Sequence, residues 1–491
     1  MPLPTRAQRF SVVLVIELWE RFGFYGMQAL LLLFMVERLG LGDAQANLLW
    51  GAFTALLYCA PVIGGWLGDN ALGSRRCMIL GAVVLAIGYL LMSLPSDTTT
   101  LLYVAMGAIV VGTGLFKPNA ANLVRNIFAG DDSRLDAAFT LYYMSVNVGS
   151  TVSILLTPWI KDRFGWHPAF AVCCAGLVAA IAGYSLLQRR LDGIGSGPDL
   201  APLHRGRAMA TLGGIAVASL AMAVVLQHPV VARTCVWLAA AGVVLFAAAL
   251  FARASSAERP GLAAMYILTL QAMMFFIFYQ QQATSLTLFA LRNVDMHFRV
   301  GGTTLFSMSA GQFQALNPIW IMVLSPVLAF GYSRLGQSGR DLPVAVKFLI
   351  GYVAIGAACL VWFATSGDAT HPIVSPWTMV AGYGLVSLGE LLTNGLGYAM
   401  VARYVPKRTG ALMMGAYSVA AGVALYLGGM IANWAAIPHG LGTLDPAASL
   451  PIYHALFFRL FLLALAIVVV CAALLPVLRR LDQAHHRLRE S

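Results

Sequence analysis

Long apolar runs, each near the length of a bilayer crossing, alternate with short polar turns along the whole chain. The runs fall at 10–37, 45–68, 76–95, 100–124, 137–160, 168–187, 209–227, 231–252, 263–290, 313–333, 343–366, 375–402, 410–435 and 453–478. About 20 apolar residues carry a helix across the hydrocarbon core. Several runs are longer, which predicts tilt or extension beyond the lipid. The longest polar connection, from Gln188 to Arg207, holds Gly193, Gly195, Gly197 and Pro198 and reads as a linker between two halves. Runs 209–227 and 231–252, joined by the short turn Gln227-His228-Pro229, contain no intramembrane acid and read as an inserted hairpin. Without them the chain divides six plus six, a parallel two-fold repeat. The pattern thus predicts an all-α membrane protein of fourteen transmembrane helices. A six-helix bundle spans 1–190, a linker and hairpin 191–260, a second bundle 261–480 and a tail 481–491.

Composition agrees. Of 491 residues 59% are hydrophobic and only 10% charged, where soluble domains carry about 25% charged residues. Mean hydropathy is +0.79. The net charge of +11 does not form a nucleic-acid footprint, because the basic residues sit in short loops between spans. Arg75, Arg76, Arg189, Arg190, Arg205, Arg207, Arg253, Arg259, Arg334, Arg340, Lys407, Arg408, Arg479 and Arg480 fall on one side of this map. Fewer, including Arg38, Lys161, Arg163, Arg292 and Arg299, fall on the other. That bias makes the first side cytoplasmic, with both termini there, and anionic lipid is a sufficient partner for it. The first run has internal charges and no small-residue cleavage site, so it reads as a retained span. The seven cysteines form no Cys-x-x-Cys or Cys/His cluster and read as packing residues. No metal or cofactor is expected.

A few ionisable residues interrupt this apolar order. Glu17, Glu20 and Arg21 lie in the run Glu17-Leu18-Trp19-Glu20-Arg21-Phe22 inside the first span. Residues at i, i+3 and i+4 share a helix face, and Glu17 is one turn before Arg21, the favoured order for a pair. Lys117 sits in the fourth span and Glu390 in the tenth. At about 1.5 Å per residue, Lys117 is about 25 Å from the outer edge of its span and Glu390 about 22 Å. Charges at this depth are costly and mark a functional path. Arg21 and Lys117 give the first half positive charge and Glu390 gives the second half negative charge. That field suits a zwitterion such as a short peptide. Tyr25, Tyr58, Tyr143 with Asn147, Gln281 with Ser285, Asn317, and Ser387 with Glu390 and Asn394 add polar groups at helical spacing for peptide amides. The nine histidines map to loops, ends or the tail, so any proton coupling falls on carboxylates. A substrate carboxylate arriving at Arg21 competes with the acids for that cation, and a proton then takes its place on the Glu. Other anionic cargo, such as nitrate or an amino-acid conjugate, and a non-transporting peptide receptor remain alternatives. No catalytic motif supports an enzyme.

At these residues the chain resembles the proton-dependent oligopeptide transporter family, a branch of the major facilitator superfamily. The resemblance rests on Glu17, Glu20, Arg21 and Phe22, on Phe116-Lys117-Pro118-Asn119, on Tyr142-Tyr143 with Asn147, and on Gly389-Glu390. The turn Gly64-Gly65-Trp66-Leu67-Gly68-Asp69, followed by Gly73-Ser74-Arg75-Arg76, resembles the superfamily's loop signature. The hairpin looks like that of bacterial members. The resemblance implies uptake of di- and tripeptides with protons. Alternating access in the inner membrane, by a chain working as a monomer, is the expectation. It implies that Glu17, Glu20 and Arg21 carry coupling. Arg21 and Lys117 would face the peptide carboxylate, Glu390 and Asn317 its amine, and Tyr25, Tyr58 and Asn147 the peptide. Three positions depart from the family pattern. Phe24 precedes Tyr25 where two tyrosines are usual. Gln28 and Gln280 stand where an outer salt bridge is common, so a Gln–Gln hydrogen bond would close that gate instead; gating is expected of Gln28, Gln280, Lys117 and Glu390. Tyr417 replaces a common Trp.

Overall fold

The computed structural model describes residues 5–96, 98–202, 205–338, 342–368, 370–405, 409–437 and 445–490. Of the residues singled out in the sequence, Arg340, Lys407, Arg408, His204 and His439 lie outside the described residues, as do the side chains of Arg205, Arg207 and His486. The helices are α1 Arg6–Leu33, α2 Asp43–Asn70, α3 Ser74–Ser93, α4 Thr99–Ile127, α5 Asp132–Phe164, α6 Trp166–Leu187, α7 Gly197–Leu200, α8 Arg205–Gln227, α9 Pro229–Arg253, α10 Arg259–Ala283, α11 Ser285–Asn293, α12 Leu316–Gln337, α13 Val344–Thr365, α14 Trp377–Thr393, α15 Gly397–Tyr404, α16 Gly410–Ala432 and α17 Pro446–Glu490. Among the described residues twelve helices are long and apolar enough to cross a membrane. Two further helices have other characters: α1 carries Glu17, Glu20 and Arg21, and α14 has 17 residues.

The chain forms two compact units, Met1–Leu41 with Ala52–Arg233, and Gly42–Gly51 with Thr234–Ser491. In the first unit α1 begins with a reciprocal cap, Gln8 N–H donating to Thr5 Oγ1 (3.2 Å) and Thr5 N–H to Gln8 Oε1 (2.9 Å). Small residues bring its helices into backbone contact, as is usual where lipid gives no hydrophobic drive. A Cβ on Gly149 of α5 would come within 2.8 Å of the Leu18 carbonyl, and Gly107 of α4 admits α8 in the same way. Pro118 does not break α4. It has no N–H for the Gly114 carbonyl, and Gly64 of α2 packs onto that oxygen.

The polar linker belongs to the first unit. α3 starts after Gly73, which has no side chain to cap it and sits at φ +100°. Asp199, 7% exposed, caps it from the linker: its carboxylate accepts from the backbone N–H of Arg75 (3.0 Å), Arg76 (3.3 Å) and Ser196 (3.1 Å). Ser196 Oγ donates to the Gly68 carbonyl (2.6 Å), and Arg76 reaches the carbonyls of Pro198 (2.9 Å) and Ala201 (2.8 Å). A segment read as a tether is a built part of the α2–α3 turn.

The second unit includes the first two turns of α2. Asp43 receives both guanidinium nitrogens of Arg292 (2.7 and 2.8 Å), Arg292 also donates to Tyr453 Oη (2.9 Å), and Asn47 donates to Asn433 (3.1 Å). Two features depart from the sequence reading. The run 263–290 is not one helix: α10 ends at Thr284, and α11 starts anew. An antiparallel hairpin, β1 His297–Val300 and β2 Thr303–Ser307, follows, turning through Gly301 and Gly302 at positive φ. Phe298, fully buried, stacks on Phe306 and meets Trp377 edge-on. The tail is helical and docked: Asp482 of α17 accepts from Tyr404 Oη (2.8 Å) and Arg403 (3.2 Å) of α15.

Candidate functional site

The first unit gathers the predicted cations and acids. α1 turns Glu17, Glu20 and Arg21 inward, 2%, 0% and 5% exposed. Spacing favours Glu17 as the partner of Arg21, but the tighter pair is with the adjacent Glu20. Arg21 Nε and Nη2 donate to Glu20 Oε2 and Oε1, the second bond at 2.6 Å. Glu17 Oε1 lies 3.4 Å from Arg21 Nε. A planar guanidinium in a dry site takes the partner that engages two of its N–H groups at once. Glu17 keeps one looser contact, and its Oε2 is buried with no hydrogen-bond partner among the described residues. Tyr142 of α5 also hydrogen-bonds Glu17. The sequence reading used Tyr142 only as a motif letter. Its half-buried state, next to an exposed Tyr143, decides which of the two tyrosines meets the acid.

Lys117 is exposed, and its ammonium stands over the Tyr58 ring, 5.4 Å from the centroid. Arg21 stands likewise over Phe24 at 5.4 Å, so the ring that replaces the family's first tyrosine still faces the cation. Tyr25 is half-buried beside Phe24, and Gln28, one turn on, is half-buried too. Asn147 is buried, and its Nδ2 donates to the carbonyl of Tyr143 on its own helix (2.9 Å). This bond orients the amide.

The second unit brings Asn317, Ser387 and Glu390 together. α12 supplies Asn317 and α14 the other two, one turn apart. Asn317 Nδ2 donates to Glu390 Oε2 (2.8 Å) and Ser387 Oγ (3.1 Å). Glu390 is half-buried and is held by a neutral donor; no cation of this unit pairs with it among the described residues. Asn394 follows where α14 tightens into a 3₁₀ turn, its N–H still bonded to the Glu390 carbonyl. Gln281 has a different place from the one its spacing predicted. It is 2% exposed, Nε2 donates to the carbonyls of Ile277 and Gly428 (both 2.9 Å), and Oε1 accepts from Ser285 (2.7 Å). With Thr284 Oγ1 on the Gln280 carbonyl (2.7 Å), it replaces the backbone bonds lost at the α10–α11 break. In this structure the polar groups of Gln281 are thus engaged at the helix break. Gln280 is buried against Gly428. Tyr417 is buried with its hydroxyl against Gly397, where a Cβ has no room.

The chain as a whole is similar to known proteins. The POT family model matches residues 75–441. Dipeptide and tripeptide permease A of Salmonella typhimurium is 40% identical over 476 residues, covering 96% of this chain and 93% of that protein. The permease of the same name in Escherichia coli is 40% identical over 477 residues, with the same coverage. A crystal structure of tetrameric PepTSo2 is 47% identical with a TM-score of 0.88, covering 97% of this chain and 99% of that one. A solved bacterial homologue of the human drug peptide transporters PepT1 and PepT2 is 48% identical with a TM-score of 0.87, covering 97% and 100%. With the charged motif buried in its first helix, the multi-pass fold and these relatives over nearly its whole length, this chain belongs to the POT family.

Proposed function

We propose that this protein is a symporter that imports di- and tripeptides with protons across the cytoplasmic membrane by alternating access. The observation that carries the reading is the opposite charge of the two half-sites: Arg21 and Lys117 in the first unit, and Glu390 held by the neutral amide of Asn317 in the second. A peptide's carboxylate suits the first and its amine the second. Tyr25, Tyr58, Asn147 and Asn394 serve its amides. An anion carrier has little use for Glu390, which sets the changed-cargo reading behind this one.

Coupling follows from the difference between the two acids of α1. Glu20 is the standing counter-ion of Arg21, with both oxygens engaged. Glu17 has an unpartnered oxygen and carries the proton. A peptide carboxylate reaching Arg21 draws the cation from both acids, and a proton takes its place on Glu17. Gln28, Gln280, Lys117 and Glu390 are assigned to gating. α8 and α9 form an inserted hairpin, which with α1 and α14 brings the span count to fourteen. Two six-helix bundles, 1–190 and 261–480, flank the linker and hairpin 191–260, with the tail 481–491 and both termini cytoplasmic. The chain works as a monomer.

Dialanine uptake into liposomes holding the purified protein tests this. Accumulation above equilibrium under an inward proton gradient, abolished by a protonophore, is expected. Exchange without driven accumulation overturns the coupling assignment. No dialanine movement in a folded preparation overturns the peptide site.

A further inference from the structure

Tyr89 of α3 is a buried polar group that the proposed mechanism leaves unused. Its side chain has no solvent exposure, and its hydroxyl has no hydrogen-bond partner among the described residues. The ring is fixed in place. Gly23 of α1 lies beneath it, and a Cβ there would come within 2.8 Å of Tyr89 Cε2 and 3.4 Å of Cδ2. Gly23 is one turn beyond Glu20 on the same helix face. Glu20 and Arg21 from α1, and Cys173 from α6, are the ionisable groups that bear on the hydroxyl. α4 contributes Ile109 and the Ala105 carbonyl beside the neighbouring Gly88. The Cys173 thiol is engaged with the Ala169 carbonyl (3.6 Å). Glu20 in turn faces Arg21, Glu17, Lys117, Tyr142 and Tyr89.

A buried hydroxyl without a partner is unfavourable, and phenylalanine would fill the same space without that penalty. The hydroxyl therefore has its use in another arrangement of the same cluster. In this structure both Glu20 oxygens are taken by Arg21. When Arg21 turns to a substrate carboxylate, Glu20 loses those donors in a site closed to water.

Resting on the symport reading above, we propose that Tyr89 is a positioning residue of the coupling cluster, whose O–H donates to Glu20 when Arg21 leaves it. The hydroxyl keeps Glu20 ionised through that step and directs the proton to Glu17. No bond other than hydrogen bonds changes.

The test is Tyr89→Phe, in liposomes, beside wild type. Wild-type driven accumulation must be present; its absence overturns the symport reading and leaves the variant's counterflow pH profile to judge Tyr89. In the variant, dialanine counterflow without a gradient is expected to stay within about twofold of wild type at its optimum. Driven accumulation is expected to fall about three- to tenfold, and the pH midpoint of counterflow to move upward by about 0.5 unit or more, because a proton replaces the missing donor on Glu20. Placed in a Glu20→Gln background, the same substitution is expected to move the midpoint no further. An unchanged profile in the single variant, or an equal shift in both backgrounds, overturns the inference. Thermal unfolding in detergent guards the result. Equal or higher stability of Tyr89→Phe is expected, and a clear loss overturns the inference by showing that the hydroxyl already has a resting partner.

Discussion

The two halves hold buried charge in opposite ways. In the first, three ionisable groups share one helix and contact one another: Arg21 lies against Glu20 with two hydrogen bonds and against Glu17 at 3.4 Å. In the second, Glu390 has no cation against it among the described residues and accepts from the Asn317 amide, which also donates to Ser387. A compensated cluster resists the loss of any one member, because the remainder is left charged and dry. A lone carboxylate that a neutral amide holds has the reverse property. Removing its charge relieves the fold and touches only what the charge was kept for. On the function proposed above, the first half couples to protons and the second recognises the peptide's amine.

Substitutions test this contrast in order of expected size. Arg21→Gln leaves two buried acids without their cation. It should lower dialanine uptake about 100-fold or more and destabilise the protein by about 3–5 kcal/mol, read by transport and by thermal unfolding in detergent. Arg21→Lys restores the charge without the planar fork, and recovery should be partial. Glu390→Gln should act in the other sense. Stability should hold or rise while dialanine affinity falls about tenfold, equal to about 1.4 kcal/mol, and N-acetyl-dialanine should lose less than dialanine. Loss of stability in Glu390→Gln would erase the contrast between the halves. Asp43→Asn removes a bidentate partner from Arg292 in the second unit and should cost about 1.5–3 kcal/mol in thermal unfolding. Asp199→Ala should cost about 1 kcal/mol by uncapping α3, with counterflow per folded molecule retained. Phe24→Tyr keeps the ring over Arg21, so uptake should stay within about twofold, near the few tenths of a kcal/mol typical of substitutions that preserve a contact.

Much of this was legible in the residues alone. Glu17, Glu20, Arg21, Lys117 and Glu390 stand out because ionisable groups inside apolar spans have no ordinary packing use; periodicity puts Ser387 on the face of Glu390, while Asn317, on another helix, is paired with Glu390 by the family resemblance. The misses are of three kinds. The break between α10 and α11 at Thr284 carries no Gly or Pro signal, and Gln281 and Ser285, which bond each other across it, have the same spacing as a cavity face. The β-hairpin had a signal, Gly301-Gly302 between Phe298 and Phe306, which the surrounding apolar spans outweighed. Asp43 and Arg292 lie 249 positions apart, and no local pattern links them.

Sequence by itself determined the membrane class, most of the long apolar helices and the sign of the charges in each half, because these depend only on local apolarity and residue type. Tertiary structure decided the partners. It chose Glu20 over Glu17 for Arg21, set Asp199 on the start of α3 from more than 120 positions away, and left Tyr89 without one. Periodicity states which face a side chain is on. What meets that face depends on which helices pack there and on whether the site is dry enough for one geometry to win.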